Sequence, residues 1–184
     1  MRNLAIFVFS IFIAGCSIIA KPAPSIEYLM LGNNSFSKCE GKNKILVFVE
    51  QTKAINMFDS RSIIKINDKG QVDTIKGVKW ITTPSDMIYK NFLAAINSSC
   101  ELDANFDRRN LVLKTNLITL QTDEKEATIG LGFTILKDEK ILKSSIMTSK
   151  KAIAENTPQN ALIALNLAMN DIVTKILDEI KGSI

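Results

Sequence analysis

The chain has 184 residues, which suits a single domain. Twenty-three Lys and Arg stand against 19 Asp and Glu, a net charge of +4, too mild for a nucleic-acid footprint. Histidine is absent. That excludes a Ser-His-Asp triad, a Cys-His pair, a histidine general base and any His-ligated zinc.

The first residues read as an address. Arg2 supplies a positive n-region, and Leu4 to Ala14 form an apolar run of eleven residues. A membrane-spanning helix needs roughly 20 apolar residues, so this run is too short to cross and has the length of a cleaved signal. It ends in Ile13-Ala14-Gly15-Cys16, which resembles a bacterial lipobox with Ile for the usual Leu. That resemblance implies cleavage before Cys16, a diacylglycerol on its sulfur and an acyl group (palmitate or similar) on the new amine. Each buried methylene contributes about 0.8 kcal/mol, so two or three chains hold where one binds marginally. Ser17 takes the place of the aspartate that retains such proteins at the inner membrane. The expected location is therefore the outer membrane of a Gram-negative bacterium, facing the periplasm. Cleavage would remove Arg2 and leave a charge of +3. Residues 1–15 are thus the signal peptide. Residues 16–25, with Pro22 and Pro24, form a lipidated tether, and residues 26–184 form one domain.

Within the domain, Ile26 to Leu31 predicts a strand closed by Gly32-Asn33-Asn34. Lys44 to Glu50 is a continuous apolar run, expected to be a central strand buried on both faces. Ser62 to Ile66 and Gln71 to Ile75 flank Asn-Asp-Lys-Gly and read as a hairpin. Thr83-Pro84 opens a helix, with Thr83 as cap and Asp86 three residues on. Its apolar side is Met87, Ile88, Phe92, Ala95 and Ile96, and it ends at Asn97-Ser98-Ser99. Three strands follow, from Asn110 to Gln121, Ala127 to Leu136 and Ile141 to Ser149, with a change of phase near Asn116. Short polar links between them predict an antiparallel meander.

Thr157-Pro158 opens the last helix. Leu162, Leu165, Met169, Ile172, Ile176 and Ile180 step by three and four, and Lys181-Gly182 closes it. The stripe widens through Val173 and Leu177, which favours burial on a sheet over a coiled coil. The element order β-β-(β-hairpin)-α-β-β-β-α gives an α/β (α+β) fold. It is a mixed, largely antiparallel sheet with two helices packed on one face.

Motifs for chemistry are weak. Gly130-Leu131-Gly132 has no third glycine and no following Lys-Ser/Thr, so it reads as a bulge or as close packing under a helix. Asp123, Glu124, Glu126, Asp138 and Glu139 read as solvated turn charges. Arg108-Arg109 and Lys150-Lys151 read as solvated faces. Of three cysteines, lipidation would use Cys16 and leave Cys39 and Cys100, either bridged or buried as free thiols. No catalytic residue, metal ligand or cofactor is assigned beyond the covalent N-acyl diacylglycerol on Cys16.

From about Tyr28 to Ile180 the chain resembles the ABC-type transport auxiliary lipoproteins, the PqiC-like group. Tyr28-Leu29 matches the family's first strand. Phe58-Asp59-Ser60-Arg61-Ser62-Ile63-Ile64-Lys65 stands where that group has Leu-Asp-Arg-x-x-Ile-Val-Tyr-Arg. It departs by the inserted Ser60 and by Lys65. Trp80-Ile81-Thr82-Thr83-Pro84 matches a Trp followed by a Pro-started helix. The resemblance implies a non-enzymatic accessory. Its partners would be a periplasmic MCE-domain (mammalian cell entry) protein and an ABC permease and ATPase that move phospholipid or other hydrophobic molecules between membranes. Phe58 and Arg61 are then the expected partner contacts. Trp80 is weighed between contact and core, and a homo-oligomer is left open. Two alternatives stay beside this reading: an outer-membrane assembly lipoprotein bracing a β-barrel, and a periplasmic lipid-binding carrier.

Overall fold

The structure is a computed structural model that describes residues 25–32, 39–41 and 43–183. The expected signal peptide, the lipobox-like run ending at Cys16, the expected tether up to Pro24 and the expected turn at Asn33-Asn34 lie outside the described residues. The strands are β1 Glu27–Leu29, β2 Ile45–Val49, β3 Lys53–Ala54, β4 Ile64–Ile66, β5 Val72–Thr74 and β6 Val78–Trp80, then β7 Leu102–Ala104, β8 Leu111–Thr122, β9 Glu126–Lys137 and β10 Lys140–Ala152. The helices are α1 Pro84–Ser98, between β6 and β7, and α2 Pro158–Lys181, after β10.

The fold is built on β8. One edge pairs antiparallel with β9 along nearly its whole length, and β9 pairs antiparallel with β10. The other edge is shared in succession by three short strands, all parallel to it. β2 pairs at Leu111 to Leu113, β3 at Asn116 and Leu117, and β4 at Thr122. Side chains pin these docks. Thr52 Oγ1 and Thr115 Oγ1 are hydrogen-bonded at 2.7 Å inside the core, and Thr122 Oγ1 donates to the Ile64 carbonyl at 3.3 Å. β5 folds back on β4 as the expected hairpin, while β7 pairs with the far edge of β2. β1 and β6 form a separate two-stranded parallel ribbon.

Both helices cover one face. On β9 the alternation is plain: Ala127, Ile129, Leu131, Phe133 and Ile135 are buried, and Thr128, Gly130, Gly132 and Thr134 take the other side. On β8 the buried set runs Leu111, Leu113, Thr115, Leu117 and then shifts to Leu120 and Thr122. A bulge leaves Ile118 without a partner between Leu117 and Thr119, which is the change of phase. Onto this face α2 lays Ala161, Ala164, Leu165, Ala168, Met169, Ile172, Val173 and Ile176. The alanines let the helix approach closely. By length and apolar character α2 could cross a membrane, but its apolar stripe is spent on the sheet. Thr157 caps it, its side chain accepting from Asn160 N at 3.2 Å.

Several expectations change. β2 is interior, between β7 and β8, but is buried on one face only: Val47 and Val49 point to the core and Leu46 is exposed on the other side. Gly130 and Gly132 lie on the face away from the helices, not under one. The bulge sits opposite them, in β8. Thr83 makes no side-chain cap bond, and Asp86 instead accepts from Gln51 and Thr82. The N2 amide of α1, Ser85 N, donates to Asp59 Oδ1 at 3.0 Å. Gly182 ends α2 in right-handed geometry, φ −76°, without using its left-handed freedom.

Cys39 and Cys100 are joined by a disulfide spanning 61 residues, with Cα atoms 4.9 Å apart. It fastens the segment before β2 to the end of α1. A loop of that length contributes about 4 kcal/mol in the chain-entropy account. Gly41 passes so close to the Cys100 carbonyl that no Cβ would fit there.

Candidate functional site

Two regions bear on function: the face of the sheet that no helix covers, and the corner where the family-like motifs meet.

The uncovered face is made by β8, β9 and β10. Across its middle runs a shallow groove of about 440 Å³. Its floor is Gly132, and Ile118, Asn116, Thr134, Ser144 and Ile146 form its sides. Gly132 is what opens it. A Cβ there would touch Ile118 Cδ1 at 3.4 Å and fill the floor. Ile146 is 65% exposed beside it, and Ile141 and Leu142 are exposed further along β10. At one end stand Glu50 and Lys114, with Lys114 Nζ 3.6 Å from Glu50 Oε2. That oxygen is shielded from solvent and takes no hydrogen bond among the described residues. At the same level residues 105–110 cross over β2, setting Arg108 5.1 Å above the Phe48 ring and leaving Phe106 exposed at the crest. Arg109 is held by Asp107, bidentate and at the surface, and this partner holds the Asp107 carboxyl below the usual aspartate range.

The edge of this face is fixed from behind. Ser149 Oγ donates to Asp171 Oδ2 of α2 at 2.7 Å, and Lys175 and Lys151 lie at 3.1 and 3.8 Å. The Ser149 bond first, and the Lys175 bond next, keep the Asp171 carboxyl below its ordinary value. Lys143 pairs with Glu179 of α2 at 3.1 Å. The carboxylates Asp123, Asp138 and Glu139 belong to turns: Asp123 accepts from the amides of Lys125 and Glu126, and Asp138 and Glu139 form the left-handed two-residue turn from β9 to β10.

The second region gathers the motif residues. Phe58 is 6% exposed and Trp80 1%. Both are core, which corrects the expectation that Phe58 offers a contact and settles Trp80 as packing. Arg61 is exposed but engaged. Its Nε donates to the Trp80 carbonyl at 2.9 Å, Trp80 N donates to the Arg61 carbonyl at 2.7 Å, and its guanidinium sits 5.2 Å over the Tyr28 ring. Asp59 caps α1. Phe58, Asp59, Arg61, Trp80 and Tyr28 thus make one structural joint between the turn before β4, the β1–β6 ribbon and α1. The order of these residues in the sequence reflects that joint. The groove was missed at the level of sequence, although its signal is there: Thr128-x-Gly130-x-Gly132-x-Thr134 is a small-residue face alternating with an apolar one.

No family model matches the sequence, and no curated protein does. Solved structures do resemble it. Protein XCC0632 from Xanthomonas campestris, described as a DUF330 protein, superposes with a TM-score of 0.67 at 17% identity, over 83% of this chain and 91% of that one. An uncharacterized protein superposes at 0.71 with 9% identity, over 85% and 99%. The hypothetical protein CT253 from Chlamydia trachomatis superposes at 0.56 with 8% identity, over 76% and 97%. At these identities the likeness is one of fold: a mixed α+β architecture shared across nearly the full length of all three.

Proposed function

We propose that the chain is a lipid-anchored periplasmic protein of the outer membrane, an accessory of an MCE-type ABC transport system for phospholipid or other hydrophobic molecules. Its role is docking, not catalysis. The single observation that supports docking is the uncovered sheet face. It is a rigid, mostly uncharged surface with an open groove at Gly132 and exposed Ile146, Ile141 and Leu142 along its edge. Apolar side chains exposed along a backbone fixed by sheet pairing are what a partner surface requires. The lipobox at Ile13 to Cys16 supports the anchor, and ATP hydrolysis would belong to the partner ATPase.

The test is co-purification. Wild-type chain and Ile146→Glu are pulled from outer membranes and probed for an MCE-domain partner. Loss of the partner at least tenfold with unchanged far-UV circular dichroism is the expected result. Equal recovery of the partner by both chains overturns this surface.

A further inference from the structure

A second apolar area stands apart from the groove, on the β1–β6 ribbon. Tyr28 is 54% exposed, Met30 49% and Ile81 55%. In the parallel register Tyr28 pairs with Lys79 and Leu29 with Trp80, so Met30 and Ile81 follow one step on. Leu29 and Trp80 point into the core. Tyr28, Met30, Lys79 and Ile81 therefore share the outward side, with exposed Ile26 at its start. The rim is cationic. Arg61 lies over the Tyr28 ring, Lys79 is within the face, and Lys90 lines the hollow it shares with Met30 and Ile81. Of the acidic neighbours, Glu27 projects to the opposite side, where Gln159 Nε2 donates to it at 3.1 Å, and Asp86 accepts from Thr82 and Gln51.

Chain length says what can reach this area. Nine residues separate Cys16 from Ile26. Fully extended, the ten steps from Cys16 to Ile26 span at most about 36 Å, since each residue covers roughly 3.3–3.6 Å. An acylated Cys16 would hold β1 within that distance of the bilayer. A tyrosine among aliphatic side chains, ringed by Arg and Lys, matches the boundary between acyl chains and anionic headgroups.

We propose that this side of the β1–β6 ribbon, Ile26, Tyr28, Met30 and Ile81 with Arg61, Lys79 and Lys90 around them, rests on the anionic phospholipid surface to which the chain is anchored. The inference rests on the lipoprotein reading given above. It sets the domain's orientation, with the ribbon toward the membrane.

The full chain is extracted from its membrane, and its intact mass reports acylation at Cys16. It is then reconstituted in vesicles of phosphatidylcholine alone or with phosphatidylglycerol, and amide hydrogen exchange is followed. The expected result is exchange slowed several-fold at residues 26–30 and 79–81 in the phosphatidylglycerol vesicles relative to detergent. The protection should fade in Met30→Glu/Ile81→Glu, and in Lys79→Glu/Lys90→Glu, with exchange in the core strands unchanged. Acylated chain with equal exchange of the ribbon in vesicles and detergent overturns the proposal and leaves the anchor standing. Protection that appears only when a protein partner is added also overturns it. An unacylated chain refutes the anchor, and the same exchange measurement still scores the ribbon.

Discussion

The two faces of the β8–β9–β10 meander share a backbone and differ in everything else. On the covered face Ile129, Leu131, Phe133 and Ile135 meet the alanine-lined side of α2. On the bare face Gly132 and Thr134 line an open groove, while Gly130 is closed over by Thr119 and Thr148. The difference teaches that buried and exposed surface are separated here by one residue of alternation. A substitution on one face should be felt in folding, and its sequence neighbour should leave folding nearly unchanged.

The largest expected effect tests that separation directly. Ile129→Ala removes a fully buried side chain and leaves a cavity, at a cost of about 3 kcal/mol. Ile146→Ala, on the bare side, should change stability by less than about 0.5 kcal/mol. Urea unfolding of both variants decides, and similar losses would dissolve the distinction. Next comes the joint at α1. Asp59→Ala removes the carboxylate that accepts from Ser85 N and should cost about 1 kcal/mol. The far partner, Thr83→Ala, should cost less, because Thr83 makes no cap bond. Thermal melts that rank the two in reverse would return the cap to Thr83.

The smallest effect concerns the clamp behind the bare face. Asp171 is held below the ordinary aspartate value of 3.8, first by Ser149 and then by Lys175. A carboxylate with a depressed folded pKa contributes its stability above the unfolded pKa and loses it as pH falls through the folded one. Stability should therefore decline on acidification below about pH 4, and Asp171→Asn should flatten that limb. Midpoints measured at neutral pH and at pH 3 check it.

Much of the fold was legible because its largest elements are long and periodic. Both helices begin at a Thr-Pro pair, and the three meander strands lie where alternation and polar turns set them. β3, β6 and β7 were not legible. Each has two or three residues, too few to carry a period, and each exists because a neighbour offers an edge: β8 for β3, β1 for β6, β2 for β7. Phe58 and Arg61 suit an interface by residue type, since aromatic residues and arginine concentrate binding energy. In the folded chain the turn at 56–62 sends Phe58 inward and ties Arg61 to Trp80, which no local pattern encodes. The groove failed to register for the opposite reason. A face made of glycine and threonine has no chemistry to announce, and it matters only once both helices are seen to choose the other side.

The shared edge of β8 also divides the molecule's pairings by how far apart in the chain their partners lie. β8, β9, β10 and α2 are consecutive in the chain, so their mutual contacts close short loops. β2 must find a partner more than 60 residues away, and β3 and β4 nearly as far. Loop closure penalises distant pairings before they give anything back. The C-terminal part, complete with its bare face, thus closes at low entropic cost, and the N-terminal strands take up its vacant edge at a higher one, in three short instalments.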